Sequence, residues 1–326
     1  MSGPPVPVAR TRAAVRAALA DLDHDALVLV ACSGGADSLA LATATVFERP
    51  GRAGLVTVDH RLQDGSAERA AALVEWARAG GFAPAEVRAV AVAGSGGPEA
   101  AARRARYNAL AAAATEHNAA AVLLGHTADD QAETVLLNLA RGSGARSLAG
   151  MPPRRDPYRR PFLELPRELV RAAAAGLPVW EDPHNSDPAY ARSRLRSALS
   201  TLDETLGSGF RAGLVRSARL LRADADALDA LAAEHAPSVR TGDGLDAGRL
   251  AALPRAIGGR IIRSFLLAAG APGGSLSATQ IDAVAALVTD WHGQGPVAVA
   301  GGLRVVRVEG VLRLESEPRD SRAAEA

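Results

Sequence analysis

Along the first 140 positions the apolar residues follow two rhythms. Short, nearly continuous apolar runs at 26–31, 54–58, 87–92 and 120–124 predict strands buried on both faces. Between them, residues 39–47, 66–78, 99–117 and 128–141 carry the helical spacing. Strands that alternate with helices imply an α/β domain with a parallel sheet covered on both faces. Ligands of such sheets lie beyond the carboxyl ends of the strands, where Ser33, Asp59 and His126 emerge.

The rhythm breaks after residue 140. Residues 141–156 are rich in Gly, Pro and Ser and read as a loop. Helical patterns follow at 166–175 and 192–202, separated by the turn-rich 182–188, and a boundary falls between 206 and 213. Further helices are expected at 214–234, 250–269 and 278–288, then short strands at 297–300, 303–308 and 311–315. This divides the chain into a first domain over 1–205, a smaller and mostly helical domain over 206–318 that ends in short strands, and a disordered tail over 319–326.

Composition sharpens this picture. A chain of 326 residues with 48% hydrophobic content can bury two cores. No apolar run is long enough to cross a membrane, and prolines occupy the first dozen residues where a signal peptide would be apolar, so a cytoplasmic protein is expected. The single cysteine, Cys32, excludes an internal disulfide and any Cys-x-x-Cys site, and beside a buried strand it reads as a small core hydrophobe. The seven histidines share no ligand spacing, so no zinc site is expected.

There is no lysine, so all 37 basic residues are arginine, and any acceptor amine other than the N-terminus must come from outside the chain. The net charge of +1 conceals an uneven distribution. Residues 1–140 and 223–326 each carry −3, whereas 141–222 carry 15 arginines against 8 acids, a net of +7. A concentrated basic zone suits a polyanion; the plainer reading is a solvated arginine-rich surface.

Two motifs carry chemistry. Cys32-Ser33-Gly34-Gly35-Ala36-Asp37-Ser38 forms a strand–glycine turn–helix start, in which side-chain-free glycines and helix-terminal N–H groups let phosphate oxygens approach the backbone. Asp37 beside a phosphate calls for a bridging divalent cation, unless it or Ser38 merely caps the helix. The pattern lacks the lysine of a Walker loop and the spacing of a dinucleotide fingerprint. The second motif, residues 125–134, places His126, Asp130 and Glu133 at i, i+4 and i+7, on one side of a helix start. The alternative is a capping box between Thr127 and Asp130, with Glu133 facing water.

Ser-Gly-Gly-x-Asp-Ser after a buried strand resembles the pyrophosphate loop (PP-loop) of N-type ATP pyrophosphatases, the adenine nucleotide alpha hydrolase-like fold. Taken with Val58-Asp59-His60, residues 99–110, 125–144 and 160–199, it resembles the tRNA(Ile)-lysidine synthetase family over the first two hundred residues. That resemblance implies a ligase that uses ATP and Mg2+ to adenylate the C2 oxygen of the cytidine at the first anticodon position of tRNA(Ile) with a CAU anticodon. Free L-lysine then displaces AMP. It implies that Ser33, Gly34, Gly35, Ala36, Asp37 and Ser38 hold pyrophosphate, with the metal at Asp37. Arg106 contacts the α-phosphate, His126 lies at the reacting phosphate, and Asp130 and Glu133 receive the ammonium groups of lysine. The first domain is then catalytic and the second binds tRNA; the +7 charge of residues 141–222 makes Arg192, Arg194 and Arg196 the expected RNA contacts. Asp182-Pro183-His184-Asn185 resembles a family loop on the tRNA-facing side, and Arg141-Gly142-Ser143-Gly144 a family turn. Gln63 and Ser193 stand where the family has arginine and asparagine.

Two other readings use the same loop. A tRNA thiolation enzyme needs sulfur-carrying cysteines, which one strand cysteine does not supply. A small-molecule amide-forming synthetase, with the C-terminal part as a homodimer module, leaves the +7 segment without a partner.

Overall fold

The computed structural model describes residues 3–61, 63–92, 97–181 and 191–316, apart from the side chains of 98, 99 and 191–193. The resemblance-based loop at 182–187, the Arg192 and Ser193 side chains and the tail over 319–326 lie outside these residues. The chain divides into two compact units. The first comprises residues up to Ala140 together with Gly150–Ala218, and the second Arg141–Ala149 together with Arg219 onward.

The first unit alternates as the sequence predicts. Its order is α1 (Val6–Ala18), β1 (Val28–Ala31), α2 (Ala36–Glu48), β2 (Ala53–Asp59), α3 (Ser66–Ala79), β3 (Ala85–Ala89), α4 (Pro98–Glu116), β4 (Ala121–Leu124) and α5 (Ala128–Ala140). The strands align as β3-β2-β1-β4 in parallel, with Val28 paired to both Ala53 and Ala121. All four residues of β1 and of β4 are buried, as expected of central strands covered on both faces. The chain runs from β1 outward to β3, then returns to β4 on the opposite side of β1, so the connections after β1 and β4 diverge and leave a crevice at their carboxyl ends. One core face joins Leu39, Leu41, Leu55 and Phe162; the other joins Leu29, Val56, Leu110 and Leu124.

Three stretches of the chain up to Val239 depart from the sequence expectation. Residues 6–18 form α1, because prolines in the first turn forfeit only N–H groups that have no helical partner. The stretch read as a loop at 141–156 contains α6 (Ala145–Leu148) and β5 (Arg154–Arg155), which pairs antiparallel with β6 (Tyr158–Arg159) to extend the sheet beyond β4. After α7 (Arg167–Ala173) and α8 (Ala191–Leu206), α9 (Phe210–Val239) runs unbroken past the division at Ala218, so no break in the pattern marks the end of the first unit.

In the second unit β7 (Arg240–Thr241) and β8 (Gly244–Asp246) precede α10 (Ala247–Ala251) and α11 (Arg255–Ala268), a pair read from sequence as one helix but separated by Pro254. Next come α12 (Ala278–Thr289), opened by a Ser277/Gln280 capping box, then β9 (Val297–Val299), β10 (Leu303–Val308) and β11 (Val311–Ser316). An antiparallel sheet ordered β7-β8-β11-β10-β9 packs its apolar residues, Leu245, Val305 and Leu312, against Ile261, Ile262 and Leu287. Arg146 of the 141–149 segment pairs with Asp226 and Asp229, and Asp229 also accepts from Arg260 at 2.7 Å.

Candidate active site

The turn after β1 is closed by its own residues and by Trp180. Gly34 takes φ +82°, a conformation L side chains rarely adopt, and its carbonyl accepts the Trp180 N–H at 3.0 Å. Ser38 Oγ donates to the Gly35 carbonyl at 2.8 Å and accepts the Ser33 N–H at 3.2 Å, which closes the turn. Gly35 is the N-cap of α2 and offers no side-chain acceptor, so Asp37 and Ser38 lie in the first turn rather than at the cap, and the helix start has no side-chain cap. Cys32 is buried behind the turn, its thiol pushed up by burial, as expected of a core residue.

The turn after β4 approaches from the other side. A Cβ at Gly125 would sit 3.2 Å from the Asp37 carbonyl oxygen, so any other residue there would press the two turns apart by a few tenths of an ångström. Thr127 donates through its N–H and Oγ1 to Asp130 Oδ2 at 2.8 and 3.0 Å. Half of the capping box is therefore present, and Asp130 Oδ1 is left to accept from Arg167 at 3.0 Å. Glu133 does not face water; it is buried.

Three carboxylates meet on one guanidinium that the sequence motifs did not single out. Arg167, at the first position of α7, lies 3.3 Å from Asp37, 3.0 Å from Asp130 and 4.0 Å from Glu133. Arg196, from α8, bonds Glu133 at 2.8 Å. A signal for Arg167 existed in the sequence: a cation in the first turn of a helix opposes the helix dipole and needs anions nearby. Arg196, expected to face RNA beside Arg194, turns instead to Glu133, because residues two apart on a helix point to different sides; Arg194 is exposed.

Burial dominates the electrostatics. It pushes Asp37 up to about 6, with Arg167 opposing and Asp130 reinforcing the shift. Glu133 is raised for the same reason, against Arg196. Asp130 is also desolvated, yet Arg167 and the Thr127 N–H hold it below the usual carboxylate range. Burial pushes the His126 imidazole well below its ordinary value against the pull of Asp130, and Arg106, Arg160 and Arg103 add to the push. Arg106 also depresses His60, after burial, so its charge reaches both turns. Among the described residues, Asp37 Oδ1, His126 Nδ1 and His60 Nδ1 are buried without a hydrogen-bond partner.

Beside the β1 turn lies a cavity of about 520 Å³ between the end of β2 and α3. Asp59, Trp76 and Trp180 line it, and Arg69 lies 4.6 Å from the Trp180 ring centroid while donating to Gln63 Oε1 at 3.2 Å. Arg69 thus brings a guanidinium to the corner that Gln63 occupies.

The PP-loop domain family matches residues 9–202 and the TilS substrate binding domain matches 245–313. The tRNA(Ile)-lysidine synthase of Thermobifida fusca is 56% identical over 97% of this chain and 100% of its own. That of Salinispora tropica is 55% identical over 94% and 96%. The U34-tRNA thiolase NcsA of Methanococcus maripaludis shares the fold at TM-score 0.53, with 21% identity over 66% of this chain and 80% of its own. Matched by both domain families and by full-length relatives, the chain belongs to the tRNA(Ile)-lysidine synthase family.

Proposed function

We propose that the chain ligates free L-lysine to C2 of the cytidine at the first anticodon position of tRNA(Ile) with a CAU anticodon. It is a carbon–nitrogen ligase that consumes ATP through an adenylated tRNA and releases AMP and pyrophosphate. The supporting observation is the meeting of Asp37, at the glycine turn, with Asp130 and Glu133 around one cationic group. A guest with a cationic end fits such carboxylates, and the chain has no lysine of its own.

Within this reading Ser33, Gly34, Gly35, Ala36 and Ser38 cradle the pyrophosphate, and Arg106 holds the α-phosphate. The orphaned, buried Asp37 Oδ1 fits a magnesium ligand; magnesium would neutralise charge on the phosphates when bound. His126, kept neutral, presents its unpaired Nδ1 to the reacting phosphate. Asp130 and Glu133 hold the ammonium groups of lysine. Residues 1–205 carry the chemistry, and 206–318 grip tRNA together with Arg192 and Arg194. Acting on tRNA, the enzyme is read as cytoplasmic; no helix among the described residues is long and apolar enough to cross a membrane.

The test is to incubate purified protein with ATP, magnesium and radiolabelled lysine on a tRNA(Ile) transcript with a CAU anticodon. Label on the transcript, absent when cytidine at the first anticodon position is replaced by uridine, is the expected result. AMP release without label transfer contradicts the proposal.

A further inference from the structure

Arg167 occupies the place proposed above for the cationic end of lysine. Its main chain is fixed: the N–H donates to Asp129 Oδ2 at 2.8 Å, and Asp129 Oδ1 is held by Arg211 at 2.7 Å. Its side chain is held by the ion pairs to Asp37, Asp130 and Glu133, with 22% of its surface exposed. Carboxylates this close repel unless positive charge lies among them, and the guanidinium supplies it in the free protein.

Lysine would bring its ammonium to Asp130 Oδ1, which Arg167 holds at 3.0 Å, and to Glu133 Oε1, which Arg167 approaches to 4.0 Å beside the Arg196 bond at 2.8 Å. Both cations cannot occupy that space. The long arginine side chain can leave while its anchored backbone stays, and the nearest alternative for its charge is the phosphate cradle, since it already touches Asp37. The geometry points to Arg167 as an internal counter-cation that occupies the lysine site in the free protein and is displaced from Asp130 and Glu133 when lysine enters. The inference rests on the lysine reading of those two carboxylates. It makes Arg167 a positioning residue that sets how strongly a guest must bind carboxylates to gain entry: an amino acid with a neutral side chain cannot exchange for a guanidinium.

The experiment is calorimetric titration of L-lysine into the full chain without ATP or tRNA, comparing the parent with Arg167→Gln, Arg167→Lys and Glu133→Gln. Removing the competitor should tighten lysine binding to Arg167→Gln by about tenfold or more, on the scale of one charged hydrogen bond. Unchanged or weaker binding, or no detectable binding to either protein, overturns the inference. Should the glutamine variant fail to fold, Arg167→Lys decides in the same way: its shorter, compact ammonium reaches fewer carboxylates, so tighter binding supports displacement and equal or weaker binding overturns it. If parent and Glu133→Gln bind lysine equally, the lysine reading itself falls. If Glu133→Gln weakens binding while Arg167→Gln leaves it unchanged, only the displacement falls.

Discussion

The two sides of the crevice are made differently. The turn after β1 is mostly local: hydrogen bonds among consecutive residues close it, and the helix start it leads into carries no side-chain cap. The side after β4 is assembled from a distance, since Asp37 and Arg167 are 130 residues apart and Glu133 and Arg196 are 63 apart. Backbone sites depend on conformation and tolerate little steric change, whereas charged side-chain sites depend on balance and respond to removal of one partner. A mutation on one side should therefore fail in a different way from one on the other.

The largest effect is expected at Asp37, where the two sides meet. Asp37→Asn should lower overall turnover by about 100-fold or more, as loss of a charge-stabilising group does. AMP and pyrophosphate release measured on the folded variant checks this, and near-parental rates would remove Asp37 from the chemistry. Gly125→Ala comes next, because its Cβ would press on the Asp37 carbonyl at 3.2 Å and shift the phosphate turn. Turnover should fall roughly 10- to 100-fold, the scale of a small misplacement in an active site, while lysine affinity measured by titration stays at the parental value.

A milder test separates neighbours on α8. Arg194→Ala should flatten the salt dependence of tRNA binding by about 0.7–0.9 log units per log unit, the contribution of one phosphate contact. Arg196→Ala should leave that slope unchanged and alter the lysine requirement instead, because its guanidinium pairs with Glu133. Filter binding across several salt concentrations distinguishes them; equal slopes for both variants would dissolve the distinction.

The smallest effect concerns stability. Asp37 titrates near 6 in the folded chain and near the ordinary value of ~3.9 when unfolded, so between those values the folded state holds more protons and rising pH destabilises it. Asn does not titrate. The melting temperature of Asp37→Asn relative to the parent should therefore rise from about pH 4 to pH 6 and level off above; a difference independent of pH would mean that the carboxyl is not desolvated.

The sheet was legible because β1 and β4 are continuous apolar runs with helical spacing between them, and the glycine turn because all of its residues are contiguous. What escaped reading has physical causes. Helix α1 lay behind prolines that its first turn accommodates, the split of α10 from α11 rests on Pro254, and β5 to β8 are too short, at two or three residues each, for any rhythm to show. Asp130 and Glu133 could be placed on one helical face from their spacing. Their partners could not, because Arg167 and Arg196 sit among the many arginines of a basic segment, and only the fold selects which of these turn inward. The +7 excess of 141–222 is accordingly consumed in part inside the first unit, by Glu133, Asp129, Asp21 and Asp37.

The claim that the two sides do separable work is tested most directly by a single-turnover assay of Glu133→Gln that quantifies adenylated tRNA and lysine-bearing tRNA over time. The account predicts that adenylated tRNA forms within about twofold of the parental rate and accumulates, with lysine transfer restored only at roughly tenfold higher lysine, the cost of one charged contact. A parallel loss of both half-reactions that no concentration of lysine repairs would contradict it.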